Sequence, residues 1–304
     1  MTRTPTNIAA SVRARLLGLA RQRGDDFQLL LTRYVNERLL YRLGRSPHGS
    51  RFVLKGAALF TLWTGQAHRA TRDVDLLGFG DPSEASVRSA FAEVLALDVV
   101  DDGVRFDARS LEVGPIREDQ AYGGVRLVVL AKVTAARVRL QIDVGFGDAI
   151  TPEATLVDFP VLLDFPAPRL RAYPRETVVA EKLEAMVQLG LANSRMKDFY
   201  DLVVLSRIFD FDGGTLVRAI RATFERRKTP LPAGVPPALT TAFADDPAKN
   251  GQWGAFVRKS GARDVGELPT AIRGITRFAA RPLEVATTDA PWGARWPAGG
   301  PWFE

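Results

Sequence analysis

Asp73-Val74-Asp75, read as part of a short strand, puts two carboxylates on one face and Val74 on the other. Thr71 falls on the carboxylate side and Leu76 on the apolar side. Along a strand the two carboxylates stand about 7 Å apart, which is costly without a counterion. A divalent metal is the usual remedy, and hard oxygen ligands suit Mg²⁺. A third acid belongs with them. Val138-Arg139-Leu140-Gln141-Ile142-Asp143-Val144-Gly145 is the clearest alternation in the chain, with Val138, Leu140, Ile142 and Val144 facing the core and Asp143 on the polar face. Upstream, Lys55-Gly56 reads as a glycine turn that opens a short helix over 57–64.

Composition narrows the chemistry. The chain has 304 residues, 46% of them hydrophobic and 25% charged, an ordinary globular balance for about two domains. It contains no cysteine, so disulfides and thiolate metal sites are excluded. Its two histidines, His48 and His68, cannot build a His-rich zinc site, so any metal rests on carboxylates. No 18-residue apolar run and no signal-peptide core are apparent, so the expected location is the cytoplasm, with no membrane partner. The net charge is +6, and arginine dominates it, with 34 Arg against 7 Lys. Nine of those arginines fall within residues 1–50 against Asp25, Asp26 and Glu37. That segment reads either as a phosphate-facing lobe or as a solvated helical surface.

The elements that must position these residues follow from periodicity and punctuation. Residues 7–43 predict one or two amphipathic helices, and Arg51 to Leu54 a strand feeding Gly56. Asp73 to Leu77 predicts a second strand. A helix is expected from Ser83 to about Leu97, capped by Ser83 or Asp81. Strand pieces are expected over 98–132, with a buried strand from Gly124 to Leu130. Residues 158–174 carry Pro160, Pro166, Pro168 and Pro174 and read as a linker or an extended edge segment. Helices are expected over 176–189, 194–208, 212–227, 248–259 and 265–280, with Gly190 ending the first and Asn193 or Ser194 capping the second. The tail from Ala290, rich in Trp, Pro and Gly, reads as irregular. The expected division is 1–165, N-terminal helices with a sheet domain, and 166–304, mainly helical.

A glycine turn at a helix start, Asp-x-Asp, then a third carboxylate on a later strand together resemble the nucleotidyltransferase fold of DNA polymerase β. Four segments sharpen the resemblance to the AbiEii/MenT-type nucleotidyltransferase toxins of bacterial toxin–antitoxin systems. They are Leu54-Lys55-Gly56 with its helix, Arg69 to Leu76, Gln141 to Gly147, and Glu181-Lys182-Leu183-Glu184-Ala185 followed by Arg195-Met196-Lys197-Asp198-Phe199-Tyr200-Asp201-Leu202. One departure is Ala57, where the family often has a second glycine or a serine. A hydroxyl contact to phosphate there is excluded, though a backbone cradle survives. The resemblance implies an α+β fold: a polymerase β-like domain, with a mixed sheet and flanking helices, plus a largely helical C-terminal domain that completes the active site.

It also implies roles. Asp73, Asp75 and Asp143 would hold two Mg²⁺ ions, which in such sites lie roughly 3.5–4 Å apart. Lys55, Gly56 and Ala57 would bind the nucleotide through backbone amides. Lys182 would contact the triphosphate, against the plainer reading of a lysine snorkelling beside an apolar stripe. Asp198 is the family's functional acid and would orient Lys182 or an acceptor group, whereas Lys197 and Asp201 read as a surface salt bridge at i, i+4. Arg69 and Arg72 suit phosphate or solvent equally. Thr71 is a site where phosphorylation would block the substrate, or a plain strand residue.

The function implied is transfer of an NMP from an NTP to an RNA 3′ end, the tRNA acceptor end in the MenT group, with a cognate antitoxin as partner and translation as target. Two alternatives are a nucleotidyltransferase acting on a protein or small-molecule hydroxyl, and a non-enzymatic basic RNA-binding module.

Overall fold

The computed structural model describes residues 7–69, 71–116, 123–261 and 265–304. Ala70, inside the Arg69 to Leu76 segment, lies outside the described residues, as do 117–122 within the expected strand region. The chain divides into two compact units, 1–147 with 155–172, and 148–154 with 173–304. The division after 172 rather than 165 keeps one more strand with the sheet.

The first unit opens on two helices, α1 (Ile8–Arg23) and α2 (Phe27–Arg45). Asn7 and Asp26 cap them by accepting the Ala10 and Leu29 amides, and Gly24 ends α1 in the left-handed region. There follow β1 (Phe52–Lys55), α3 (Ala58–Thr64), β2 (Asp73–Gly78), α4 (Glu84–Ala96), β3 (Arg105–Pro115), β4 (Gly124–Val133), β5 (Ala136–Phe146), β6 (Thr155–Asp158) and β7 (Arg169–Ala172). Ser83 caps α4, as expected. Among the described residues the strands form a seven-stranded sheet in the order β3-β4-β5-β2-β1-β7-β6. It is mixed: β2 runs parallel to β5 and β1 parallel to β7, and the other pairs are antiparallel.

Two expectations change here. Residues 158–174 are not a linker: they hold the end of the rim strand β6 and all of β7, which is paired on both sides and belongs to the sheet. The prolines fall between and around these two short strands, where no ladder bond is lost. Thr71 precedes β2 rather than belonging to it.

The apolar face of the sheet is dry. Leu54, Val74, Leu76, Leu127, Ile142 and Val144 are all essentially inaccessible, and Phe52 meets Phe91 of α4 edge-on at 5.3 Å. The arginine-rich start of the chain is partly interior. Arg38 is fully buried, pairing with Glu37 at 2.7 Å and donating to the Pro166 carbonyl, while Arg42 forks onto Asp102 at 2.7 and 3.1 Å. These two arginines fasten loops to α2. They do not face phosphate, which narrows the expected basic lobe to the remaining arginines of that segment.

The second unit comprises α5 (Arg175–Leu189), α6 (Met196–Ile208), β8 (Phe211–Asp212), α7 (Gly213–Arg227), α8 (Thr241–Ala244), α9 (Pro247–Ser260), α10 (Leu268–Ala286) and β9 (Arg295–Trp296). α5 packs on α7, and α10 on α6 and α7. The tail is irregular apart from the two-residue β9, and its aromatics hold it in place. β9 pairs with β8, Trp296 stands edge-on to Phe278 at 5.0 Å, and its indole donates to the Ser206 carbonyl. Neither Asn193 nor Ser194 caps α6, since Arg195 holds that position and the buried Asn193 side chain instead accepts the Arg195 amide at 2.8 Å.

Candidate active site

Strand register builds the first half of the site. Lys55 of β1 lies opposite Asp75 of β2, Asp75 opposite Asp143 of β5, and Asp143 opposite Arg126 of β4. Register partners share a face of the sheet. One row therefore reads Lys55, Asp75, Asp143, Arg126, two acids flanked by two bases across four strands. Asp73, level with Gln141, extends the row on the same face. The apolar partners at 74, 76, 142 and 144 alternate to the other side, so the hydrophobic pattern that buries one face delivers the carboxylates to the other.

Arg126 grips Asp143 with both nitrogens, Nε to Oδ1 at 2.8 Å and Nη2 to Oδ2 at 2.7 Å, and Gln141 Nε2 lies 3.3 Å from Oδ2. Among the described residues no group of three or more His, Cys, Asp or Glu is gathered as a ready metal-ligand set. Asp143 is turned to its arginine. The donors still fit a hard divalent cation, being carboxylate oxygens on one face of adjacent strands only about 4.8 Å apart.

Gly56 is required by two constraints at once. Its φ of +73° is left-handed, and a Cβ there would sit 2.0 Å from Asp75 Oδ2. The turn backbone thus lies directly against one of the acids. The helix it opens, α3, has seven residues, and its Leu59 and Phe60 amides bond back to the Gly56 and Ala57 carbonyls at 3.2 Å. Ala57 offers no side-chain cap, as its identity dictates. Thr71 and Asp73 line a cavity of about 80 Å³ within this unit. Arg72 is exposed, and its carbonyl accepts from Asn36.

A second cluster lies in the other unit. Lys182 of α5 places Nζ 2.8 Å from Asp198 Oδ1 and 2.8 Å from Asp201 Oδ2, both on α6 and both buried. Arg195 Nε lies 2.8 Å from the other Asp198 oxygen. Burial alone would raise the Asp198 pKa, but Lys182 and then Arg195 hold it down to about 2. Lys182 is therefore fixed by two carboxylates rather than snorkelling. Asp201 does not form the expected surface pair, because Lys197 is exposed and the Asp201 carboxylate turns inward to Lys182. The i, i+3 spacing puts both aspartates on one face of α6, and the packing of α5 sets Lys182 against that face.

Behind this cluster, Arg227 is held by Glu184 at 2.8 Å, Asp148 at 3.0 Å and Glu181 at 3.5 Å. Burial works against its charge, and the three acids more than restore it, raising its pKa. Arg126 belongs to none of the four motif segments. Its signal is the alternation Val125, Leu127, Val129, which leaves 126 on the polar face.

A glycine turn packed on paired strand carboxylates, on a mixed sheet with flanking helices, is the arrangement of a nucleotidyltransferase. The model of the "Nucleotidyl transferase AbiEii toxin, Type IV TA system" family matches residues 38–271, and the chain belongs to that family. It is a nucleotidyltransferase toxin of a toxin–antitoxin pair, which implies an antitoxin as partner. Two solved structures from H. pylori are similar at 15% identity. One, described as a "putative nucleotidyltransferase", has a TM-score of 0.49 with 86% of this chain and 93% of that chain covered; the other, JHP933, has a TM-score of 0.48 with 86% and 90% covered. No curated protein matches the chain. Among the described residues no helix is long and apolar enough to cross a membrane.

Gly56→Ala tests the turn. Strain at a left-handed position and displacement of the Asp75 carboxylate should together cost transferase activity about 100-fold. Steady-state rates beside a thermal melt separate that loss from unfolding.

Proposed function

We propose that the chain transfers an NMP from an NTP to an RNA 3′ end, the acceptor end of tRNA, with Mg²⁺ bound at Asp73, Asp75 and Asp143. The observation that carries this reading is the row of register-paired acids with the Gly56 turn packed against Asp75, in a chain of the AbiEii family. The acceptor hydroxyl oxygen bonds to the α-phosphorus as the bond from that phosphorus to the α,β-bridging oxygen breaks, and pyrophosphate leaves. When bound, Mg²⁺ supplies charge neutralisation for the triphosphate. The backbone at Lys55, Gly56 and Ala57 would hold phosphate oxygens, and Asp143, oriented by Arg126, would accept the hydroxyl proton. Lys182, fixed by Asp198 and Asp201, is assigned a triphosphate contact. Exposed arginines of α1 suit an RNA backbone, and blocked tRNA 3′ ends would stop translation.

Thr71 is assigned a regulatory role, because a phosphate on its hydroxyl would put charge and bulk into the cavity it shares with Asp73. Mass spectrometry of toxin coexpressed with its antitoxin reads this directly, and an unmodified Thr71 in an inactive sample counts against it.

Purified protein incubated with labelled NTPs, Mg²⁺ and total RNA tests the main reading. Label in tRNA is expected. Label in protein or a small molecule would move the acceptor, and RNA binding without any label would leave a non-enzymatic module.

A further inference from the structure

The cavity beside Asp73 reaches well beyond the acids. It lies where α2 and α3 meet the start of β2, closed by residues 159–162, and encloses about 80 Å³. Leu40, Ala58 and Val74 give it apolar walls, and Arg33, Asn36 and Thr71 give it polar ones. Asn36 Nδ2 donates to the Arg72 carbonyl at 3.1 Å, which anchors the amide, yet Asn36 Oδ1 is buried and has no hydrogen-bond partner among the described residues. Glu37 also lines the cavity, but both its oxygens are engaged, one by Arg38 at 2.7 Å and one by the Leu162 amide at 2.7 Å. A buried acceptor left unmet is costly, so it marks a place where a donor from outside the chain belongs.

We propose that this cavity takes the edge of a nucleobase, whose ring meets the apolar walls at the mouth while an N–H on that edge donates to Asn36 Oδ1. The inference rests on the nucleotidyl-transfer reading. Three features favour a base. The unmet oxygen asks for an N–H, which every nucleobase carries on an edge. Arg33 on the same wall can donate to a ring carbonyl. Asp73 shares the wall, so a base held there keeps its sugar and phosphate beside the acids. The base can come from the incoming NTP or from the terminal nucleotide of the acceptor RNA.

The test uses the full chain and two variants: Asn36→Leu, which removes the acceptor at similar volume, and Ala67→Leu, which fills the cavity from the loop after α3. For each, kcat/KM is measured with ATP, CTP, GTP and UTP at fixed RNA, and then with RNA varied at fixed NTP. If the pocket takes the incoming base, both variants change the ratio among the four NTPs by tenfold or more and leave the KM for RNA unmoved. If it takes the acceptor's base, the KM for RNA rises tenfold or more and the NTP ratios stay. Wild-type behaviour of either folded variant in both series would assign the cavity to bound water and overturn the proposal. A thermal melt checks folding, and if Asn36→Leu is unfolded, Ala67→Leu decides. A wild-type chain that neither binds NTP by calorimetry nor transfers it overturns the transferase reading and this inference together, whereas active wild type with unmoved variants overturns this inference alone.

Discussion

Asp73→Ala should abolish nucleotide transfer, while the protein melts close to the wild-type temperature. Asp73 stands beside Asp75 and Asp143 on one face of neighbouring strands. On the metal-bound reading proposed above, its removal takes away an oxygen that would hold the cation, while the apolar face on which the sheet folds is untouched. Loss of one preorganised electrostatic group costs on the order of 10²–10³-fold in rate, and loss of a shared metal ligand should reach the upper end or beyond. Transfer of labelled NMP, read beside the thermal midpoint, checks both. A folded Asp73→Ala protein that still transfers nucleotide would sink the metal assignment.

The second large effect is on stability. Lys182→Met keeps the length and apolar stem of the side chain but leaves Asp198 and Asp201 buried without the ammonium between them. Breaking one partner out of a buried pair costs roughly 3–5 kcal/mol, enough to threaten the second unit. The pH dependence carries a sharper signature. In the wild type the Asp198 pKa is held down to about 2, from an ordinary 3.8. Its contribution is therefore complete above the unfolded value and is lost as pH falls from about 4 toward 2. In Lys182→Met Asp198 loses the stronger of the cations that hold its pKa down, so the deficit against wild type should shrink as the solution is acidified below pH 4. Urea unfolding at pH 7 and pH 3.5 measures this. A deficit that is equal at both values would show that Lys182 acts through packing alone.

The acids were legible because strand periodicity is local: Asp73-Val74-Asp75 and the run around Asp143 each declare their polar face within a few residues. Their juxtaposition needed the sheet. Nothing in the sequence pairs Asp75 with Asp143, or Asp143 with Arg126, since strand order and register are set by contacts between distant segments. The same limit hid Asp201, whose i, i+4 neighbour Lys197 suggested a surface pair until α5 placed Lys182 against it. Asn36 was illegible for a stronger reason. An unmet acceptor is defined by what surrounds it, here α3 and the 159–162 segment, and no property of α2 alone reports it. Prolines misled at 158–174 because they mark where strands end more reliably than whether strands exist, and β7 fits into the four residues after Pro168.

The placement of β7 has a consequence for synthesis of the toxin. β1 lies between β2 and β7, and β7 is made more than a hundred residues after β1. Until residues 169–172 leave the ribosome, β1 is an open edge of apolar Phe52, Val53 and Leu54, with Lys55 and Gly56 at its end. Pairings of such long sequence separation form late and slowly, and an unpaired apolar edge invites association with other chains. The strand that leads into the Gly56 turn is thus among the last parts of the sheet to be locked.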